Sequence, residues 1–101
     1  MSVGYKLTPR AQAGFQDIID YVEREFGSRA AEEVLDRIAV AFELLAENPH
    51  IGHVRRDITD NAAIRFWSVG PTLLAYRRGA GVIEILFVER GERDWERLFR
   101  E

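Results

Sequence analysis

Ala63-Ile64-Arg65-Phe66-Trp67-Ser68-Val69-Gly70-Pro71-Thr72-Leu73-Leu74-Ala75-Tyr76-Arg77-Arg78-Gly79-Ala80-Gly81-Val82-Ile83-Glu84-Ile85-Leu86-Phe87-Val88 is the stretch on which the fold turns. Three runs rich in Val, Ile and aromatic residues, Ala63–Val69, Thr72–Arg77 and Val82–Val88, read as strands. Gly70-Pro71 separates the first two and Gly79-Ala80-Gly81 the last two. Connections this short force neighbouring strands to run antiparallel, so the stretch predicts a meander.

Upstream of it the apolar period is helical. Thr8 is a good N-cap and Pro9 suits the first helical position, where a missing N–H costs nothing. Ala11, Phe15, Ile18, Ile19, Val22 and Phe26 then recur at helical spacing, with acidic and basic residues between them. Gly14 lowers helix propensity without ending the pattern, and Gly27 fits a C-cap. Ser28 can cap a second helix, whose apolar face is Ala31, Val34, Leu35, Ile38, Ala41, Phe42 and Leu45 and which Pro49 ends. So short a link predicts an antiparallel helical hairpin. Residues 48–62 lack periodicity and read as a loop, Tyr5–Leu7 as a short strand, and Glu92–Arg100 as a short helix or turn. The expected fold is α+β, in the order β-α-α-β-β-β, with the hairpin packed on one face of an antiparallel sheet. The pairing of the first strand is left open.

One domain spanning residues 1–101 accounts for the length. With 47% hydrophobic residues and 31% charged ones, the composition suits a globular core. The chain is too short for a dinucleotide-binding fold or an α/β barrel. The lack of cysteine excludes disulfides, thiolate metal sites and a thiol nucleophile. Met1–Lys6 shows no basic region leading into an apolar run, and no segment has the ~18 apolar residues of a membrane span, so a cytoplasmic protein is expected. The net charge of −3 is unlike that of a strongly basic nucleic-acid binder.

Few residues offer chemistry. His50 and His53, with Asp57, are a minimal ligand set whose spacing fits no zinc signature; a solvated loop is the plain reading, with a metal ion or a partner contact as alternatives. No metal and no cofactor is expected. No serine sits in a nucleophile elbow, and Gly79-Ala80-Gly81 lies between two strands, where no helix N-terminus faces an anion. Phe15, Ile18, Val22 and Phe26 read first as core and second as a partner groove. Arg65, Arg77, Arg78 and Arg93 interleave with Trp67, Tyr76 and Trp95, a pattern open to ion pairing, a protein partner or RNA. Glu84, Glu89, Glu92 and Asp94 could neutralise those arginines.

Taken in order, several local words resemble the ParE branch of the RelE/ParE toxin superfamily, from bacterial type II toxin–antitoxin modules. They are Tyr5-Lys6-Leu7-Thr8-Pro9-Arg10-Ala11, Asp17-Ile18-Ile19-Asp20-Tyr21-Val22, Phe26-Gly27, Leu45-Ala46-Glu47-Asn48-Pro49 with Gly52, Ile64 to Gly70, Leu74-Ala75-Tyr76-Arg77, Val82 to Leu86, and Gly91-Glu92-Arg93-Asp94. Each word is weak alone, but together they span nearly the whole chain. The resemblance implies a cytoplasmic toxin of the plasmid-stabilization type, neutralised by a ParD-like antitoxin in a hetero-oligomer, with DNA met only through the antitoxin. ParE-type members are associated with poisoning of DNA gyrase, RelE-type members with cutting mRNA on the ribosome.

Cutting RNA to a cyclic phosphate requires a base for the 2′-OH, an acid for the leaving oxygen and cations for the phosphate. The positions matching those of RelE-like nucleases are Ala63, Arg65, Thr72 and Phe99, and alanine, threonine and phenylalanine cannot transfer protons in this role. The expectation is therefore a non-enzymatic gyrase inhibitor with no catalytic residue. A ribosome-dependent nuclease and a degenerate antitoxin-binding partner are the alternatives. An apolar groove between hairpin and sheet would take an antitoxin helix, and a sheet edge could take a strand. Candidate antitoxin contacts are Phe15, Ile19, Val22, Arg65, Phe66, Trp67, Tyr76 and Arg77; candidate target or phosphate contacts are Arg93, Asp94 and Trp95. The chain also departs from many ParE relatives, which often carry histidine just before the Gly-x-Arg-Asp word; here Glu89-Arg90 precede Gly91.

Overall fold

Thr8 turns the chain from strand into helix, as its sequence context predicts. In the computed structural model, which describes residues 4–100, the Thr8 hydroxyl accepts the Ala11 N–H at 3.0 Å and donates to the Leu86 carbonyl at 3.0 Å. One side chain thus caps the first helix and ties it to a strand 78 residues later. The reading of Met1–Val3 lies outside the described residues.

The elements are β1 (Tyr5–Leu7), α1 (Pro9–Phe26), α2 (Ser28–Glu47), β2 (Arg65–Val69), β3 (Thr72–Arg78), β4 (Ile83–Arg90) and α3 (Trp95–Arg100). Gly27, at φ 93°, closes α1 and opens α2, a left-handed φ that glycine adopts without Cβ strain. Ser28 is therefore the first residue of α2 and not its cap; its hydroxyl donates to Glu23 at 3.3 Å.

The sheet order is β1-β4-β3-β2. The meander is antiparallel as expected, but β1 joins β4 in parallel, with Tyr5 opposite Ile83, so the sheet is mixed. A β-bulge interrupts β3–β4: Ala75 faces Phe87 and Tyr76 faces Ile85, leaving Leu86 unopposed. The extra residue lets Leu86 and Phe87 both turn toward one side of the sheet, while Ile83, Ile85 and Val88 turn toward the other.

Two cores result. Leu74, Tyr76, Ile83, Ile85 and Val88 pack against Ala11, Ile38, Phe42 and Leu45 of the hairpin. On the reverse face Phe66, Leu73 and Ala75 pack against Ile58, Ile64, Trp95 and Leu98. The loop and α3 therefore cover a face that the sequence reading leaves bare. β3 is buried on both sides from Thr72 to Tyr76, which explains why its apolar run does not alternate.

On the β1 side, the C-terminal half of β4 has no strand neighbour, and α1 lies along it. A Cβ at Gly14 would collide with the Val88 carbonyl, so only glycine allows α1 this close to β4. At the other end of the sheet, His53 and Phe66 exchange both backbone hydrogen bonds, at 2.9 and 2.8 Å, and so occupy part of the β2 edge. The outer edge of β4 and that of β2 are therefore each covered over part of their length.

Candidate functional site, an apolar cleft at the hairpin tip

Beyond Gly14 the two helices leave an open cleft of about 520 Å³ between themselves, the β2–β3 turn and the end of β4. Its apolar lining comes from Ile18, Val22 and Phe26 of α1, Val34 and Ile38 of α2, and Val69 and Pro71 beside the turn. Phe26 is 69% exposed, a large apolar side chain that no part of the described chain covers. Its ring meets Tyr21 edge-on, with centroids 6.5 Å apart. The Arg90 guanidinium lies 4.3 Å from the centre of the Tyr21 ring, linking the end of β4 to α1, and pairs with Glu92 at 3.2 Å. Arg93 bonds Glu89 at 3.2 Å within the same lining. A shallower apolar recess lies between α2 and the β2 edge, lined by Val40, Leu44 and Trp67.

Polar residues of the meander serve mainly to hold the chain together. The buried Tyr76 hydroxyl accepts the Gly52 N–H and donates to the Pro49 carbonyl, each at 2.9 Å. Arg65 donates to the Gly52 carbonyl at 2.9 Å. Together they clamp the turn after α2 onto the sheet. Burial pushes the Tyr76 phenol above its ordinary value, partly offset by the Gly52 N–H and the charge of Arg65. Asp57 receives two bonds from Arg55, at 2.9 and 2.7 Å, and those bonds hold its carboxyl below the usual range. His53 stacks on Trp67, with ring centroids 6.2 Å apart. Among the described residues no three metal-binding side chains converge, and no helix is long and apolar enough to cross a membrane.

Residues 5–95, which form the four strands, the hairpin and the walls of the cleft, match the family described as ParE toxin of type II toxin-antitoxin system, parDE. The chain belongs to the ParE toxin family. It is 34% identical over 98 residues to Toxin ParE1 from two strains of Mycobacterium tuberculosis, covering 96% of this chain and 98% of each relative. Its fold matches a solved chain of the chromosomal ParDE TA system from P. aeruginosa at a TM-score of 0.73 and 22% identity, over 88% of this chain and 96% of that one. The α+β architecture expected from the sequence is thus shared with a solved ParDE chain.

On this ParE scaffold the eleven residues singled out from the sequence scatter. Val22 and Arg93 line the cleft, and Trp67 lines the recess beside α2. Phe15 is half-buried and meets Phe42 edge-on at 5.5 Å, so it is core. Ile19 is half-buried and outside the cleft lining. Phe66 and Tyr76 must be corrected: at 1% and 0% exposure neither can touch a partner of the folded chain. Trp95 is likewise core, its indole N–H donating to the Arg90 carbonyl at 3.0 Å. Arg65 belongs to the Gly52 clamp, while Arg77 pairs with Glu84 at 2.9 Å on the opposite face. Asp94 is exposed beside α3, where it accepts the Arg97 N–H at 3.2 Å.

Sequence reasoning placed Ile18 and Phe26 in the core stripe of α1 and did not single out Tyr21, Glu89 and Arg90 as cleft residues. The available signal was the stripe itself. It runs the whole of α1, and its last residue, Phe26, abuts Gly27, where the chain turns back and leaves nothing to pack beyond it.

Proposed function

We propose that this chain arrests growth by binding DNA gyrase without being an enzyme, and that a ParD-like antitoxin neutralises it by laying an amphipathic helical segment in the cleft. The cleft carries the antitoxin part of this reading. It is a preformed apolar channel ending on an exposed phenylalanine, the kind of surface that receives the apolar face of a helix. Toxin and antitoxin would assemble as a hetero-oligomer in the cytoplasm, where gyrase works.

The chemistry of the sheet supports a non-enzymatic action. At the positions matching a RelE-like nuclease, Ala63 is exposed on a loop, Thr72 is buried, and Phe99 packs among Phe66, Phe87 and Trp95. None of the three can move a proton in that role. Losing one such group typically costs ~10²–10⁴ in rate. Arg65 and Arg93 are held by Gly52 and Glu89.

Inducible expression in a bacterial host tests the reading. Filamentation and a DNA-damage response with translation continuing is the expected outcome, together with altered supercoiling or cleavage by purified gyrase. Early collapse of translation without damage signalling would instead favour ribosome-dependent RNA cleavage. Soluble expression without any phenotype would identify a binding module that has lost toxicity.

A further inference from the structure

Glu89 is the only buried charged side chain among the described residues, with 9% exposure. It sits next to last on β4 and lines the cleft. Its Oε1 accepts one hydrogen bond from Arg93, at 3.2 Å, and Arg93 itself is half exposed. Its Oε2 faces α1, only 2.9 Å from where a Cβ on Gly14 would stand. That oxygen has no donor among the described residues. Among the described residues no fully buried side-chain oxygen or nitrogen is left unpartnered, so Oε2 keeps access to solvent, and Glu89 lines the cleft.

Its bond to the half-exposed Arg93 uses only one of the two carboxylate oxygens. Apolar replacements of buried charged groups are often neutral or stabilising. Water can solvate Oε2 while the cleft is open. A helix laid into the cleft would expel that water, and a carboxylate covered without a donor is strongly unfavourable. Any tight occupant must therefore bring a donor to this point. Of the charged residues in the lining, Arg90 and Arg93 pair with Glu92 and Glu89, and Glu33 and Arg37 of α2 offset each other in charge; Asp17, one turn beyond Gly14, has no ion-pair partner among the described residues and leaves the lining beside Glu89 negative. A cation is thus favoured over a neutral hydroxyl or amide.

We propose that Glu89 is the specificity anchor of the cleft, taking a lysine or arginine side chain from the docked antitoxin segment at its free Oε2. This rests on the cleft being the antitoxin site. It makes the pairing selective, because a segment with an apolar or acidic residue at that point leaves Oε2 without a donor or repels it.

The test measures the affinity of the full-length chain for the antitoxin encoded beside it. Wild type, Glu89→Gln, Glu89→Arg and the cleft control Phe26→Ala are compared, with thermal unfolding of each. Glu89→Gln is expected to weaken binding by about 30-fold or more, as for loss of one member of a covered charge pair. One antitoxin Lys or Arg changed to Glu should restore binding to Glu89→Arg. A Lys/Arg→Gln scan of the antitoxin against the wild-type chain needs no toxin variant and should find the same position. Glu89→Gln binding within about threefold of wild type, or a scan with no sensitive position, overturns the anchor. If Phe26→Ala also binds as wild type, the cleft itself is not the antitoxin site; if Phe26→Ala alone weakens binding, the cleft stands and only the anchor fails.

Discussion

Tyr76 shows how a residue that looks functional in sequence can be wholly structural. An aromatic hydroxyl beside two arginines suggested a binding surface, yet the hydroxyl is spent on Gly52 and Pro49 inside the molecule. Tyr76→Phe keeps the ring and strands both backbone groups, so it should cost about 1–3 kcal/mol in urea unfolding. The titration has a definite sign. The folded-state pKa of Tyr76 is raised by burial above the ordinary 10.0, so its contribution is complete below the unfolded value and is lost as pH rises through the folded one. Stability followed into alkali should fall less steeply in Tyr76→Phe than in wild type. Gly14→Ala should be destabilising despite alanine's better helix propensity, by about 1–3 kcal/mol, because the new methyl group meets the Val88 carbonyl. The same change at an open helical site would be mildly stabilising, so the sign of the shift in thermal midpoint decides whether α1 packs as described.

Among the elements, those whose signals are local were legible. The Thr8-Pro9 cap, the helical stripe of α1 and the glycine-proline turn between β2 and β3 act within a few residues, and each is found where expected. Thr8→Ala should therefore cost about 1–2 kcal/mol, measured by chemical denaturation, since it removes a helix cap and a bond to β4 together. Features that depend on distant packing were hidden. The partner of β1 lies almost the whole chain away, and the bulge at Leu86 shows only once β3 is beside it. The loop carrying Ile58 and Ile64 has no period because it covers a sheet face irregularly. The cleft was anticipated as a groove between hairpin and sheet, but its members were mostly misplaced. Glu89 was read as a charge able to neutralise the nearby arginines, and it does pair with Arg93, but its burial was hidden because a glutamate in sequence carries no mark of it.

For the whole molecule, stability and partner binding fall in separable regions on the proposed reading. Phe26 is exposed at the hairpin tip, so Phe26→Ala should change folding stability by no more than ~0.5 kcal/mol while weakening antitoxin binding, as titration calorimetry would show. Antitoxin that binds only the folded chain should raise its unfolding free energy by about 2.7 kcal/mol at a hundredfold excess over Kd, seen as a concentration-dependent melting temperature. The parallel pairing of β1 with β4 also sets the order of events during synthesis. The helical hairpin can form as soon as it leaves the ribosome, but β1 waits for β4, and the wall that carries Glu89 and Arg90 follows later still. A ribosome halted before Val82 holds a chain whose sheet is unfinished and whose cleft lacks the wall that Glu89 and Arg90 supply. On the proposed reading, neutralisation then waits for that wall, so a cell making both proteins needs free antitoxin at hand when the cleft is completed on each toxin chain.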